Sequence, residues 1–460
     1  MNSASENIYF KDLDTTYNSV SSVLTGDFRL DSGYYTNIDS VVHLANTEPL
    51  SNFCSKVFMG PIFKRTEVHD EKNGVRFFAS NEIVSLSPDI AYLLTEQAHK
   101  LNLIVRKGMI LITGYGTIGS LRIVDDIIDG FAVADNVTRI IPKDNLGYVA
   151  CFLSSKYGHQ LLNDYASGSA VRFIQAPSIA KIPVPVLDAK TVKDIDVKYL
   201  SAVTCREKAH TLLEKADLLV HQYNNLPTLS ETNFKTIDPS KETQIRLTNL
   251  VEFTESFRLD AHFYNPIAQK AVENIKKDCK MLSEVTDSIF LCDRFTRNYV
   301  KDGHGLPFLS GKNTIQIRPE VKYISISETF SIDSLKLKKE WITITRSGTL
   351  GRVCYVWNNY EEYTGTEDLI RVVTNDNIDS GYLYSFLSSD YGFHQILRFK
   401  HGAVIDHLAP EDMNGILVPI CNQQKEIGDL VRKAFDFRAE AIRLEDEAQE
   451  ILTQALTKKK

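Results

Sequence analysis

Several things are missing from this 460-residue chain, and each absence removes a class of function. Its seven cysteines, Cys54, Cys151, Cys205, Cys279, Cys292, Cys354 and Cys421, are scattered, odd in number and never spaced as CxxC. That excludes a disulfide framework and a clustered zinc site, and it fits a reducing cytoplasm. No apolar run approaches the roughly 18 residues of a membrane span, so no membrane partner is expected. The opening segment MNSASENIYFKDLD carries Glu6, Asp12 and Asp14 without an apolar stretch, unlike a signal peptide. There is no GxxxxGK[ST], HExxH or GxSxG, and no Asn/Asp-Pro-Pro-aromatic motif. The acid pairs Asp125-Asp126 and Glu361-Glu362 have no neighbouring lysine in a nuclease-like spacing, and His394, His401 and His407 cluster only in sequence. We therefore expect no catalytic residues and no metal site. Positive charge is not in excess either: 52 basic against 59 acidic side chains leave −7, a balance that by itself opposes nucleic-acid binding.

What is present is an ordinary globular composition, 43% hydrophobic and 24% charged, in a chain too long for one core. It is also an internal repeat. Phe28-Arg29-Leu30-Asp31 returns as Phe257-Arg258-Leu259-Asp260, and Tyr35 as Tyr264, an offset of 229. Gly74 and Phe77 return as Gly305 and Phe308 at 231, and Ile112–Gly119 (ITGYGTIG) as Ile344–Gly351 (ITRSGTLG) at 232. Residues 147–162 (GYVACFLSSKYGHQLL) match 381–396 (GYLYSFLSSDYGFHQI) at eight of sixteen positions, and Val184-Pro185 answers Val418-Pro419, both at 234. Five blocks in one order mark a tandem duplication with loop insertions.

Each copy reads as a mixed α+β domain with an irregular, curved sheet, followed by one long helix. The domains are expected at 1–187 and 257–420, the helices at 188–226 and 421–460, and a polar linker at 227–256. Small and apolar residues step by three and four through Ala209, Leu212, Ala216 and Leu219, and again through Ala441, Leu444, Ala448 and Ile451. That spacing is a coiled-coil seam, so the two helices are expected to pack on each other as an antiparallel spacer.

Gly114-x-Gly116-x-x-Gly119 matches the dinucleotide-binding pattern, but a strand-like run follows it, and Arg346 replaces the first glycine in the second copy. A structural turn is the better reading. The cations Lys64, Arg65, Lys72, Arg76 and Arg172 in the first copy, with Arg294, Arg297, Lys312, Arg346, Arg398, Lys400 and His401 in the second, are candidate DNA contacts by residue type. Scaffold positions agree between the copies while polar ones diverge: Arg76 stands opposite Pro307, Lys156 opposite Asp390 and Arg172 opposite Asp406.

Two non-identical domains that each carry an aromatic-Arg-Leu-Asp stretch, a Gly-x-x-Phe element, a Gly-Thr-[Ile/Leu]-Gly turn and a Phe-Leu-Ser-Ser helix, each followed by a long helix, resemble the DNA-specificity (S) subunit of type I restriction–modification systems. The resemblance covers nearly the whole chain. It implies two target-recognition domains that read the halves of an asymmetric bipartite site in double-stranded DNA, and helices that set the gap and dock methyltransferase subunits. Those subunits bring S-adenosylmethionine, and a restriction subunit brings ATP, magnesium and cleavage; no cofactor is expected on this chain. Two alternatives stay open: the specificity subunit of a two-component system with a fused methyltransferase–nuclease, and a duplicated coiled-coil adaptor that binds protein.

Overall fold

Runs of Val, Ile, Leu and Thr form strands where glycine or proline bounds them, and here they give several small sheets in a mixed α+β fold. The structure, a computed structural model, describes residues 46–68, 71–86, 91–168, 171–229, 258, 260–275, 278–325, 332–402 and 405–457. The Phe28–Asp31 block, Tyr35, Phe257, Leu259 and most of segment 227–256 lie outside the described residues. The chain divides into two units: residues to 84, 88–203 and those from 444 form unit one, and residues 85–87 and 204–443 form unit two. No helix among the described residues is long and apolar enough to cross a membrane.

Unit one holds three sheets. The first orders β2 (Cys54–Phe58), β9 (Val137–Pro142), β6 (Ile110–Thr113) and β7 (Leu121–Ile123), all antiparallel. A register shift between Cys54 and Lys56 puts a bulge in β2, the device that bends a strand. The second sheet orders β3 (Glu67–Val68), β5 (Ala91–Leu94), β4 (Gly74–Phe78) and β8 (Ala132–Val133), with β4 and β8 parallel. The third pairs β1 (Thr47–Pro49) with β10 (Pro183–Pro185).

The Leu-Ser-Ser motif joins α1 (Leu146–Ser154) to α2 (Lys156–Asp164). Ser155 caps α2 by accepting the Gly158 N–H at 3.2 Å, which satisfies one of the orphan donors of a helix start. Gly158 is required there, because a Cβ would stand 2.1 Å from the Phe152 carbonyl. The start of α1 is capped from a distance: Asp196, on α3 (Ala189–Tyr223), accepts from Gly147 N at 2.7 Å and Tyr148 N at 3.2 Å. Ile195 and Tyr199 of α3 enter the unit-one core together with Ala448, Leu452 and Leu456 of the chain's last helix. Lys198 pairs with Glu447 at 2.5 Å.

Unit two has the same strand orders. One sheet runs β12 (Thr286–Phe290), β19 (Leu369–Thr374), β16 (Ile342–Thr345), β17 (Val353–Tyr355), with the bulge again in its first strand, between Thr286 and Ser288. Another runs β13 (Tyr299–Val300), β15 (Lys322–Ile324), β14 (Leu306–Leu309), β18 (Thr364–Gly365), and β11 (Cys279–Met281) pairs with β20 (Leu417–Pro419). Ser389 caps α5 (Asp390–Leu397) after α4 (Ser380–Ser388), and Gly392 has the same need to be glycine. Here α4 is capped by its own Asp379, which accepts from Tyr382 N at 3.0 Å and is held at 2.9 Å by Arg432 of α6 (Gln424–Thr457). Ala216 and Val220 of α3 share the unit-two core with Ile427, Val431 and Phe435 of α6.

Along the expected seam, Ala209, Ala216, Ala441 and Ala448 are fully buried, whereas Leu212, Leu219, Leu444 and Ile451 are half-buried. Val220 and Leu452, one residue further on, are the fully buried aliphatics. An α-helix of 3.6 residues per turn drifts away from a strict 3.5 repeat, and these helices are long enough for the drift to move the buried stripe by a position.

Candidate nucleic-acid interface

The largest fully buried side chains of the described chain are two arginines, Arg139 on β9 and Arg371 on β19. They lie 232 residues apart, the offset of the Gly-Thr-x-Gly turn. Neither meets a carboxylate in an ion pair; both are held by backbone carbonyls. Arg139 donates to Val137 O (2.9 Å), Val133 O (3.0 Å) and Leu103 O (3.4 Å). Arg371 donates to Leu369 O (3.0 Å), Gly365 O (3.0 Å), Leu335 O (3.4 Å) and Thr366 O (3.4 Å). Burial pushes the Arg139 guanidinium down to about 10, with Asp135 opposing the shift, and burial also lowers Arg371. Both stay charged at neutral pH, so each unit carries a fixed positive charge under its sheet surface.

Above Arg139, unit one has an open cleft of about 570 Å³. Gly60 lies on its lining over the guanidinium; a Cβ there would stand 2.9 Å from Leu103 Cδ2 and 3.4 Å from Arg139 Nη1. The rim is apolar and uncovered: Ile62 is 92% exposed, and Tyr115 stacks on Phe173 with ring centres 5.5 Å apart and planes 14° from parallel. The polar lining is made by Arg65, Asp135, Asn136 and Gln175. Arg65 lies over the Phe77 ring at 4.9 Å. Asn136 Nδ2 donates to Ser80 Oγ at 3.1 Å, but its Oδ1 is buried without a partner. The Gln175 side chain does not cap the short helix Ala176–Ala180 that it precedes.

The same place in unit two, at the same offset of 232, is built differently. Arg297 keeps the cation over the ring, 5.5 Å above Phe308, but it also bonds Glu367 at 2.6 Å and Thr366 Oγ1 at 3.0 Å. Burial raises the Glu367 carboxyl, yet the Arg297 bond and the Glu367 backbone N–H hold it below the ordinary range. Cys292, buried, stands where unit one has Gly60, and Ser347 where it has Tyr115.

The other expected cations fall into two groups. Lys64, Lys72, Arg172, Arg294 and Lys312 are exposed, Arg172 bonding the Asn163 carbonyl. Arg76 is exposed as well but tied to Glu71 at 2.8 Å, where Tyr92 also donates; the Arg76 and Tyr92 bonds hold that carboxyl low. Arg346 donates through Nε to Leu408 O, Arg398 lies 4.1 Å over Phe263, and Lys400 pairs with Asp406 at 3.0 Å. His401 pairs through its backbone with His407, and its Nδ1 is 3.6 Å from Asp412. Gly116 and Gly119, like Gly348 and Gly351, have positive φ in a turn leading into β7 or β17, so no helix N-terminus follows to receive a pyrophosphate. Residue type alone misses Arg139 and Arg371, although a lone arginine in an apolar strand, repeated at the duplication offset, is a readable signal.

No protein-family profile and no curated protein matches the sequence. Among solved structures, the chain is similar to a type I restriction–modification system S subunit from M. genitalium, at 13% identity and a TM-score of 0.33, over 90% of this chain and 95% of that one. It is also similar to the HsdS subunit from Thermoanaerobacter tengcongensis, at 14% identity and a TM-score of 0.27, over 90% of this chain and 96% of that one. A third chain, from a structure described as concerning complex assembly and conformational transition of the type I R-M system, has 13% identity and a TM-score of 0.27 over 89% and 97%.

Proposed function

We propose that this chain is the non-catalytic DNA-specificity subunit of a type I restriction–modification enzyme. Its two tandem target-recognition domains, residues 1–187 and 257–420, each read one half of an asymmetric bipartite site in double-stranded DNA. Helices α3 and α6 pair as an antiparallel coiled coil, set the gap between the half-sites and dock methyltransferase subunits; a restriction subunit completes the assembly. The observation that carries this reading is one scaffold built twice with different surfaces. Strand orders, bulges, helix caps and the buried arginine recur in both units, while the exposed polar residues above the arginine change. Two readers of different sequences require that pattern, and two half-sites together give more specificity than one domain supplies.

The helix pairing is supported by contacts that run in reverse order: Lys198 with Glu447, the Lys208 ammonium over the Phe437 ring, and the Tyr223 hydroxyl donating to Glu426. Helices of 35 and 34 residues are each about 50 Å long and match on the order of fifteen base pairs. Part of the acidic excess gathers on α6, at Glu440, Glu445, Asp446, Glu447 and Glu450, on the proposed spacer and not in the proposed recognition domains, and in this reading the methyltransferase subunits supply much of the phosphate contact. Co-expression with the methyltransferase of the neighbouring gene is expected to give a stable complex that methylates one bipartite motif. Single-molecule sequencing that finds no such mark overturns the reading; capture of a protein partner by a complex with no salt-dependent DNA affinity favours an adaptor.

A further inference from the structure

We propose that the cleft over Arg139 is the base-reading site of unit one, with Gln175, Asn136 and Arg65 choosing the sequence. This inference rests on the DNA-reading role proposed above and assigns it to a place.

Three observations converge there. Asn136 is a lining residue of the open cleft; its Nδ2 donates to Ser80 Oγ, and its Oδ1 lies buried just beneath the lining without a donor, a state that costs about 1–3 kcal/mol and that a small turn of the amide toward the cleft would relieve. A ligand that brings an amino group to that oxygen recovers the cost. In a major groove only adenine N6 and cytosine N4 present one. Gln175 is exposed and its side chain makes no cap bond, so its amide is available for the two-point contact with adenine N6 and N7. Arg65 is held over Phe77 and, among the described residues, makes no ion pair, which leaves its fork for guanine O6 and N7. Ile62 and Tyr115, apolar and uncovered at the rim, suit the thymine methyl.

The counterpart in unit two provides the contrast. At the matched positions Gln175 becomes Ala409, Asn136 becomes Asp368 and Tyr115 becomes Ser347, while the cation over the ring and the buried arginine are kept. Gln175, Asn136 and Tyr115 differ between the copies as ligand-selecting residues do, whereas the arginine over the ring is kept and differs in its engagement: Glu367 bonds Arg297, and Arg65 makes no ion pair among the described residues.

The test uses the chain in its own host with its native partners, introducing Gln175→Leu, Asn136→Ala or Arg65→Ala in the genome and mapping methylated motifs by single-molecule sequencing. In the parent strain, deletion of the gene should remove one bipartite mark; if no such mark is lost, the DNA-reading role itself fails. With the mark present, each substitution is expected to relax or change bases in one half of the motif only. Methylation of the original site should fall by about 5- to 150-fold relative to its single-base variant, the discrimination of one good base contact. An unchanged motif in all three strains, or equal change in both halves, overturns the assignment. Asn136 is packed against Ser80, and loss of folding in Asn136→Ala is read from the melting of the purified chain. The exposed Gln175 and Arg65 then decide: a one-half change in either supports the site, and no change in both rejects it.

Discussion

Arg65 and Arg297 occupy matched positions in the two units, each stacked over a phenylalanine, yet only Arg297 is latched by a glutamate. The starts of α1 and α4 differ in the same manner: α1 is capped by Asp196 from α3, and α4 by its own Asp379 steadied by Arg432 of α6. A shared scaffold therefore fixes which groups must be satisfied, and each copy satisfies them with different residues. The surface over the cores is free to diverge because backbone carbonyls make most of the hydrogen bonds to the buried charge.

If the buried arginines are equivalent, Arg139→Ala and Arg371→Ala should each cost about 3–5 kcal/mol, through a large cavity and several carbonyls left without donors. Calorimetry is expected to show the loss in the transition of the altered unit, and a cost in one unit alone would end the equivalence. The next effect is on the helices. Ala216→Asp buries a charge in the unit-two core and Ala448→Asp one in the unit-one core, each at about 3 kcal/mol. Hydrogen exchange should report the opening in the matching unit. The half-buried Leu212→Asp and Leu444→Asp should cost less and, under the two-reader role proposed above, impair two-half recognition more than domain folding.

The Arg297–Glu367 latch is a smaller contribution, about 1 kcal/mol. The Glu367 carboxyl is lower in the folded chain than its ordinary 4.5, so the stabilisation is present above about pH 4.5 and is lost as pH falls through the lower folded value. Acid titration of unit-two stability should show this loss, and Glu367→Gln should remove that part of the pH dependence. The smallest effects are expected at Lys72 and Lys312, exposed in their respective units. Alanine at either should change stability by less than about 0.5 kcal/mol; under the DNA-reading role proposed above, the salt dependence of DNA binding should fall by about one phosphate contact where that lysine touches the backbone.

Much of the fold is legible in the residues because it depends on short-range chemistry. Phe-Leu-Ser-Ser reads as a helix, and the structure adds that the segment breaks there into two: Ser155 and Ser389 cap the second helix, and Gly158 and Gly392 leave no room for a Cβ. The Gly-Thr-x-Gly turns need positive φ at both glycines. The alanines of the seam are buried where spacing puts them, but the aliphatic positions slip by one, since burial depends on what the helix meets as well as on its period. Charge is least legible. Lys400 reads as a candidate DNA contact and Asp406 as a divergent polar position, and the two are partners; Arg76 also reads as a candidate DNA contact, and Glu71 holds it.

The sequence by itself determined the mixed α+β character, the two long helices and the glycine-dependent turns, because these follow from neighbours within a few residues, and its repeat offset supplies the tandem-duplication reading. Tertiary structure alone decided which cations are neutralised, that two arginines lie wholly inside the units, and that a cleft stands open in unit one while in unit two Arg297 is bonded to Glu367. Those outcomes depend on residues far apart in the chain, such as Gly60 with Arg139 and Arg297 with Glu367, whose proximity is set by sheet register and by how much water each charge loses on folding.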